Sequence, residues 1–353
     1  MKLSVSQRKL YLLSAGLLAI TCIIVMTWGM WNAPAETAAT ATAAPEVSAS
    51  PSPTPVAGTM KTVVYYQDNY GYLVPVTRRI PLEDGVAKAT LSLMVKSAYN
   101  DMEAARLGLR TLLPEGTTID IDVQGGLATV DLGVNALKAT DAESEYNMVS
   151  GVVQALTEFP TIDQVSFRIS GRERDRLTHG TNVSGVFERG QINLESGDSG
   201  VSAQEMKTVE LYFPGESSSL IVPVTRAVYG SGDLPTAVLE LVKGPSSQSP
   251  FDNAFPEGCG LIGVKVEDGV ATVNFTREFM NIAEQSDGGR AALRALVLTC
   301  TSFEGVDEVK IEVEGEPYDP GESTLTVPTF VNDASVITQE YISTQTASIL
   351  DID

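Results

Sequence analysis

The sequence predicts an α+β protein built from two tandem repeated domains behind an N-terminal transmembrane or lipoprotein anchor. Each domain should be a small mixed or antiparallel sheet with two helices on one face, in the order ββαββαβ. Three observations carry this expectation. Residues 61–171 are echoed, in order, by residues 207–315. Strand-like and helix-like patterns follow in the same succession within each copy. An uncharged apolar run bordered by basic residues precedes both.

The chain opens on a basic tip, residues 1–9, carrying Lys2, Arg8 and Lys9. Residues 10–31 then read LYLLSAGLLAITCIIVMTWGMW without a charge. As a helix this run would reach about 33 Å, enough for a hydrocarbon core of about 30 Å. The basic flank keeps the tip cytoplasmic and directs everything beyond residue 31 outward. Trp28 and Trp31, the 2 tryptophans of the chain, fall at the outer interface. Two rivals to an uncleaved anchor stay open. Cys22, preceded by Ala19-Ile20-Thr21, is a candidate lipidation site, and a cleaved secretory signal would use the proline-containing Ala33-Pro34-Ala35 junction. All three routes export the globular part. Residues 32–60 turn to Ala, Thr, Pro and Ser, with Glu36 and Glu46 the charged positions before Lys61. Such a segment cannot bury a core and should be a tether spanning roughly 30 Å on average.

The duplication is legible residue by residue. Lys61-Thr62-Val63 returns as Lys207-Thr208-Val209, and Val74-Pro75-Val76-Thr77-Arg78 returns unchanged as Val222-Pro223-Val224-Thr225-Arg226. Pro114-Glu115-Gly116 returns as Pro256-Glu257-Gly258, and Ala128-Thr129-Val130-Asp131 as Ala271-Thr272-Val273-Asn274. Residues 62–67 and 208–213 read as a first strand, 72–80 and 220–228 as a second. The proline inside each second strand confines it to an edge or a bulge. A helix follows at 86–98, with Leu91, Leu93, Met94 and Val95 as its apolar face. Its counterpart starts at Asp233 as N-cap and Pro235 in the first turn, and ends at Gly244. Next comes a hairpin, 118–124 with 127–132, in which Ile119, Ile121 and Val123 should point inward; 263–267 with 270–275 repeats it around Asp268-Gly269. Helices over 142–159 and 288–303 and strands over 164–170 and 308–314 complete the units. Residues 172–206 form a polar linker partly packing on the first domain, and residues 316–353 an acidic extension. Phe187, Ile192-Asn193-Leu194 in the linker resembles Phe330-Val331-Asn332 in the extension, so each unit should own a short segment that packs back on it.

Composition narrows the function. Lys+Arg 24 against Asp+Glu 45 gives a net charge of −21, which argues against nucleic acid, since its binding rests on neutralising phosphates. The domains carry 9 basic and 14 acidic residues (61–171) and 8 and 16 (207–315), and the tail carries 7 acids and no base. With 1 His, most Ser-His-Asp and His-metal chemistry falls away. His179 sits in a polar stretch without a second ligand and reads as a surface residue. Asp131 is a candidate carboxylate, but the second copy carries Asn274 in its place. Gly258-Cys259-Gly260-Leu261-Ile262-Gly263 spells a dinucleotide fingerprint yet runs into a strand instead of opening a helix. Cys259 and Cys300 are either one pair or two packed free thiols. No cofactor, metal or catalytic residue is implied. The Val-Pro-Val-Thr-Arg strands, through Val74, Val76, Arg78, Val222, Val224 and Arg226, are either docking edges for a partner or internal strands whose arginines pair within the domain.

The paired Val-Pro-Val-Thr-Arg strands, the Pro-Glu-Gly turns, the Ala-Thr-Val-Asp/Asn strands and Leu177-Thr178-His179-Gly180-Thr181 together resemble the GerM family of sporulation and germination proteins of endospore-forming bacteria. The resemblance covers about residues 61–335. It implies tandem GerMN domains and a non-enzymatic scaffold role between the mother-cell and forespore membranes, docking onto membrane-bridging envelope proteins of the sporulation septum. It also implies anchorage at the cell membrane, here through residues 10–31, with the bulk extracytoplasmic. The alternative is a module binding peptidoglycan or another small envelope ligand during germination or cortex formation.

Overall fold

A computed structural model describes residues 58–82, 85–195, 206–215, 220–284, 289–319 and 331–334. The expected anchor at 10–31, Cys22 and the tether up to residue 57 lie outside the described residues, as do the end of the linker and most of the tail.

The first repeat runs β1 (Thr59–Gln67), β2 (Leu73–Pro81), α1 (Val86–Ser92), α2 (Ala98–Ala105), β3 (Ile119–Gln124), β4 (Leu127–Leu132), a 3-10 turn (Val134–Lys138), α3 (Ala142–Thr157), β5 (Gln164–Ile169) and β6 (Val186–Glu188). The second runs β7 (Met206–Pro214), β8 (Ile221–Tyr229), α4 (Leu234–Lys243), β9 (Leu261–Glu267), β10 (Val270–Phe275), a 3-10 turn (Arg277–Glu284), α5 (Arg290–Thr301), β11 (Glu308–Val313) and β12 (Glu316–Tyr318). The ββαββαβ order is therefore present twice, with an added helix in the first copy and a short closing strand in each. The strands divide into an antiparallel hairpin, β1-β2 or β7-β8, and a mixed sheet ordered β3-β4-β5-β6 or β9-β10-β11-β12. β4 and β5 are parallel, as are β10 and β11. Parallel neighbours need a crossover, and α3 and α5 supply it.

Local chemistry explains the elements. Asp233 accepts a hydrogen bond from the Thr236 N–H at 3.1 Å, Pro235 occupies the first turn of α4, and Gly244 ends it. Asp141 caps α3 in the same way through the Ser144 N–H at 2.7 Å. In the β9–β10 hairpin Asp268 and Gly269 both take positive φ, 50° and 81°, as a two-residue primed turn requires.

Two expectations are corrected. The helix expected at 86–98 stops at Ser92, and a second one starts at Ala98. Ser97 adopts an extended conformation and its hydroxyl caps the Asn100 N–H at 3.1 Å, while the Asn100 amide donates back to the Ser92 and Val95 carbonyls. This exchange satisfies the end of one helix and the start of the next, so two short helices replace one. Val123, expected inward, is exposed: it lies at the turn end of the edge strand β3, along which burial falls from Ile119 to Gln124.

Buried apolar side chains of both repeats join in one core cluster within the unit Val56–Asp353. Tyr72 of the first repeat meets Phe251 of the second with ring centroids 4.8 Å apart.

Candidate functional site

The repeated pentapeptide strands β2 and β8 lie side by side at the seam between the repeats. Val74, Val76, Val222 and Val224 are buried there. Two asparagines stitch the seam. The Asn193 side-chain oxygen accepts from the Leu73 N–H at 2.7 Å, and its amide donates to the Leu73 carbonyl at 2.8 Å and to Pro223 at 2.7 Å. Asn332 accepts from the Ile221 N–H at 2.8 Å and donates to the Ile221 carbonyl at 2.7 Å and to Pro75 at 2.8 Å. Leu73 and Ile221 precede the two pentapeptides, and Pro75 and Pro223 occupy the same place within them. Each asparagine thus reads its own repeat at one position and the opposite repeat at the other.

The backbone follows the same exchange. Leu194 bridges Thr225 in parallel, and Asp333 bridges Thr77. The short segments expected to pack back on their own units do so, through Asn193 on Leu73 and Asn332 on Ile221, and they also cross to the other unit. Asn193 and Asn332 hold φ of 51° and 48°, a left-handed conformation that Asn adopts more readily than most side chains. The likeness between the two segments is visible in the sequence, whereas the bonds that their asparagines make are not.

The arginines that end the strands turn inward. Arg226 Nε meets Glu195 at 2.6 Å, Nη1 meets Glu240 at 3.2 Å, and Nη2 donates to the Gly244 carbonyl at 2.9 Å. The guanidinium also lies 5.5 Å from the centre of the Phe213 ring. Arg78 pairs with Glu103 at 3.1 Å. The six residues weighed as docking edges are therefore taken up inside the chain: the valines are covered, and both guanidinium groups have internal partners.

The remaining candidates have structural work of their own. Asp131 accepts the Gly171 N–H at 2.9 Å, and Asn274 accepts the Gly315 N–H at 3.0 Å. Only a side-chain oxygen is needed in this role, which explains why Asp and Asn exchange between copies. The His179 ring contacts the Ala139 carbonyl at 2.8 Å. The N–H groups of His179 and Thr181 donate to the two carboxylate oxygens of the buried Glu145 at 2.8 and 2.9 Å. Burial pushes the Glu145 carboxyl up, but these donors outweigh it and hold it below its usual range. Gly258 turns with φ 79° before β9, the reason for glycine in the fingerprint-like stretch. Cys259 and Cys300 are free thiols, each pushed up to about 12, chiefly by burial. Among the described residues no group of three or more His, Cys, Asp or Glu could hold a metal ion. Among them, too, no helix is long and apolar enough to cross a membrane.

Fold and seam together define a tandem GerMN-type protein, a duplicated α+β domain cross-braced into one unit. The family described as Germane, sporulation and spore germination, matches residues 63–175 and 210–319, and the chain belongs to this GerM family. It is 32% identical over 267 residues to the spore germination protein GerM of Bacillus subtilis (strain 168), an alignment spanning 73% of this chain and 72% of that protein. The solved tandem GerMN domains of the sporulation protein GerM from Bacillus subtilis match with a TM-score of 0.67 at 29% identity, covering 78% of this chain and 99% of that one.

Proposed function

We propose that this protein is a non-enzymatic scaffold of the sporulation envelope. In this reading residues 10–31 hold it in the membrane, and both repeats face the space between mother cell and forespore. There it docks onto a protein that bridges the two membranes. The observation that carries the reading is the cross-braced seam. Polar residues shared by the two copies are engaged in fixing backbone, which favours a rigid two-lobed body over a pair of independent sites. With β2 and β8 covered, the strands at the ends of the sheets are the docking edges: β3 in one repeat and β9 in the other. Ile262 and Val266 on β9 are half exposed. An added strand would gain main-chain hydrogen bonds along such an edge.

The test is a fluorescent fusion of the full chain followed through sporulation, paired with pull-downs of envelope proteins. Location at the engulfing septum, and a captured envelope protein that Val266→Lys releases, support the reading. Uniform membrane signal together with empty pull-downs would sink it.

A further inference from the structure

The sheet edges β3 and β9 are not equivalent. Corresponding residues lie 256 − 114 = 142 apart at the Pro-Glu-Gly turns but 271 − 128 = 143 apart in the hairpin that follows, so the second repeat holds one extra residue between them. Strand pairing identifies it. β3 pairs with β4 without a break from Ile119 to Gln124, whereas β9 sets Leu261 opposite Phe275 and Gly263 opposite Asn274 and skips Ile262. Ile262 is thus the bulged residue of β9, and it is half exposed. Val264 and Val266 follow, opposite the fully buried Val273 and Ala271, yet Val264 is only partly covered and Val266 is half exposed. β9 ends its sheet, so among the described residues no strand lies beside this apolar rim.

Charge separates the edges further. On the face turned away from the buried Ala271 and Val273, Lys265 and Lys310 flank Thr272 in one row, and Glu267 and Glu308 flank Val270 in the next. None of these four charged residues has an ion-pair partner among the described residues. A strand added beside β9 therefore meets a positive row next to a negative one. In the first sheet the same two rows begin with Asp122 and Gln124, and Asp120 stands two residues before Asp122. β3 thus carries two acids and no base on that face, a guard against a neighbouring strand.

The geometry points to β9 as the edge that takes the partner, and to an antiparallel partner strand alternating apolar with charged residues, basic beside Glu267 and acidic beside Lys265. Its apolar side chains cover Ile262, Val264 and Val266, its backbone continues the ladder, and its two charges extend the two rows with opposite sign. Antiparallel pairing is the more stable of the two directions. A second copy of this chain fits less well. Its own β9 offers that charge order only with Val266 opposite Val266, where the Asp268-Gly269 turn ends the ladder before Ile262 is reached, and each copy brings a net charge of −21. The inference rests on the docking role proposed above and narrows it to one edge and one strand chemistry.

The experiment is fluorescence polarisation of two labelled peptides titrated with the full chain in detergent. One is Lys-Val-Glu-Val-Thr-Val, the antiparallel complement of residues 262–267; the other is Glu-Val-Lys-Val-Thr-Val, with its charges exchanged. The first should bind saturably and at least fivefold tighter than the second, because two cross-strand charge pairs change sign between them. The exposed double variant Lys265→Glu/Glu267→Lys should melt like the parent and reverse that preference. Absence of saturable binding, equal affinity for the two peptides, or a preference that survives the double variant overturns the proposal. Dimerisation of the parent that Lys265→Glu abolishes, read by sedimentation, would give the edge to a second copy and overturn it as well. An envelope protein captured by a chain that prefers neither peptide would leave the docking role standing and sink this edge. Empty pull-downs beside a clear peptide preference would do the reverse.

Discussion

Asn193 and Asn332 occupy equivalent places on either side of the seam, each making three hydrogen bonds to backbone and each joining the two repeats. Asn332 is fully buried, whereas Asn193 is partly open to water. Truncating Asn332 would strand the Ile221 N–H and two carbonyls away from solvent. Asn332→Ala should therefore cost about 2–3 kcal/mol in denaturant unfolding, and Asn193→Ala about half of that. Asn332→Asp should be worse than the alanine at neutral pH, since a carboxylate would face two carbonyl oxygens. Equal losses for the two alanine variants would mean that burial does not set their weight.

The two repeated arginines should not be equivalent. Arg226 neutralises Glu195, whose side chain is 4% exposed, and also holds Glu240 and the end of α4. Removing it leaves a buried carboxylate without its cation, so Arg226→Ala should lose about 3 kcal/mol. Arg226→Lys should recover little, because an ammonium cannot span three partners in a planar fork. Arg78 has one carboxylate partner, Glu103, and Arg78→Ala should cost less than half as much. A double-mutant cycle with Glu195→Gln gives the coupling directly.

What was legible in the sequence was local. Asp233, Pro235 and Gly244 announce α4 because capping is decided within one turn. Asp268-Gly269 announces its hairpin because few other pairs accept both dihedrals. The break at Ser92–Ser97 was not legible, since Leu91, Met94 and Val95 keep a helical spacing across it and mask the cap that the Ser97 hydroxyl makes. The seam was hidden for another reason. The bonding partners of Asn193 and Asn332 lie up to 120 and 257 residues away, and neither asparagine stands in a periodic segment. A repeated pentapeptide can announce that a strand matters without telling whether a partner protein or the sister repeat covers it.

Asp131 and Asn274 offer a sharp test of a structural carboxylate. Each contributes a single oxygen to a glycine N–H at the turn after the last long strand. Asp131→Asn and Asn274→Asp should both stay within about 0.5 kcal/mol of the parent, whereas either alanine should cost about 1 kcal/mol. Thermal melts of the four variants check this. A strong effect of Asp131→Asn alone would show that the first copy uses its charge.

Burial should silence both described cysteines. Cys300 is fully covered and Cys259 half covered, and each thiol is pushed up to about 12. The thiolate is the reactive form, so at pH 8 the folded protein should leave both unmodified by iodoacetamide for hours. Both should react within minutes in denaturant without prior reductant. Mass spectrometry of the tryptic peptides reads the two sites separately.

Glu145 links the segment after the first repeat to α3, and its protonation should loosen that link. Backbone N–H groups of His179 and Thr181 hold its carboxyl below the ordinary value of 4.5 despite burial. A folded value below the unfolded one means that the contribution is fully present above about pH 4.5 and is lost as pH falls through the folded value. Glu145→Gln keeps the shape but has one oxygen for two donors, leaving a buried N–H facing an amide NH2 group. The stability gap between parent and Glu145→Gln should be constant from pH 6 to 8 and should shrink below pH 4.5, as the parent's own carboxyl takes a proton. Urea unfolding at pH 7, 5 and 3.5 measures the gap. A gap that widened on acidification would place the carboxyl's folded value above its unfolded one and reverse the argument.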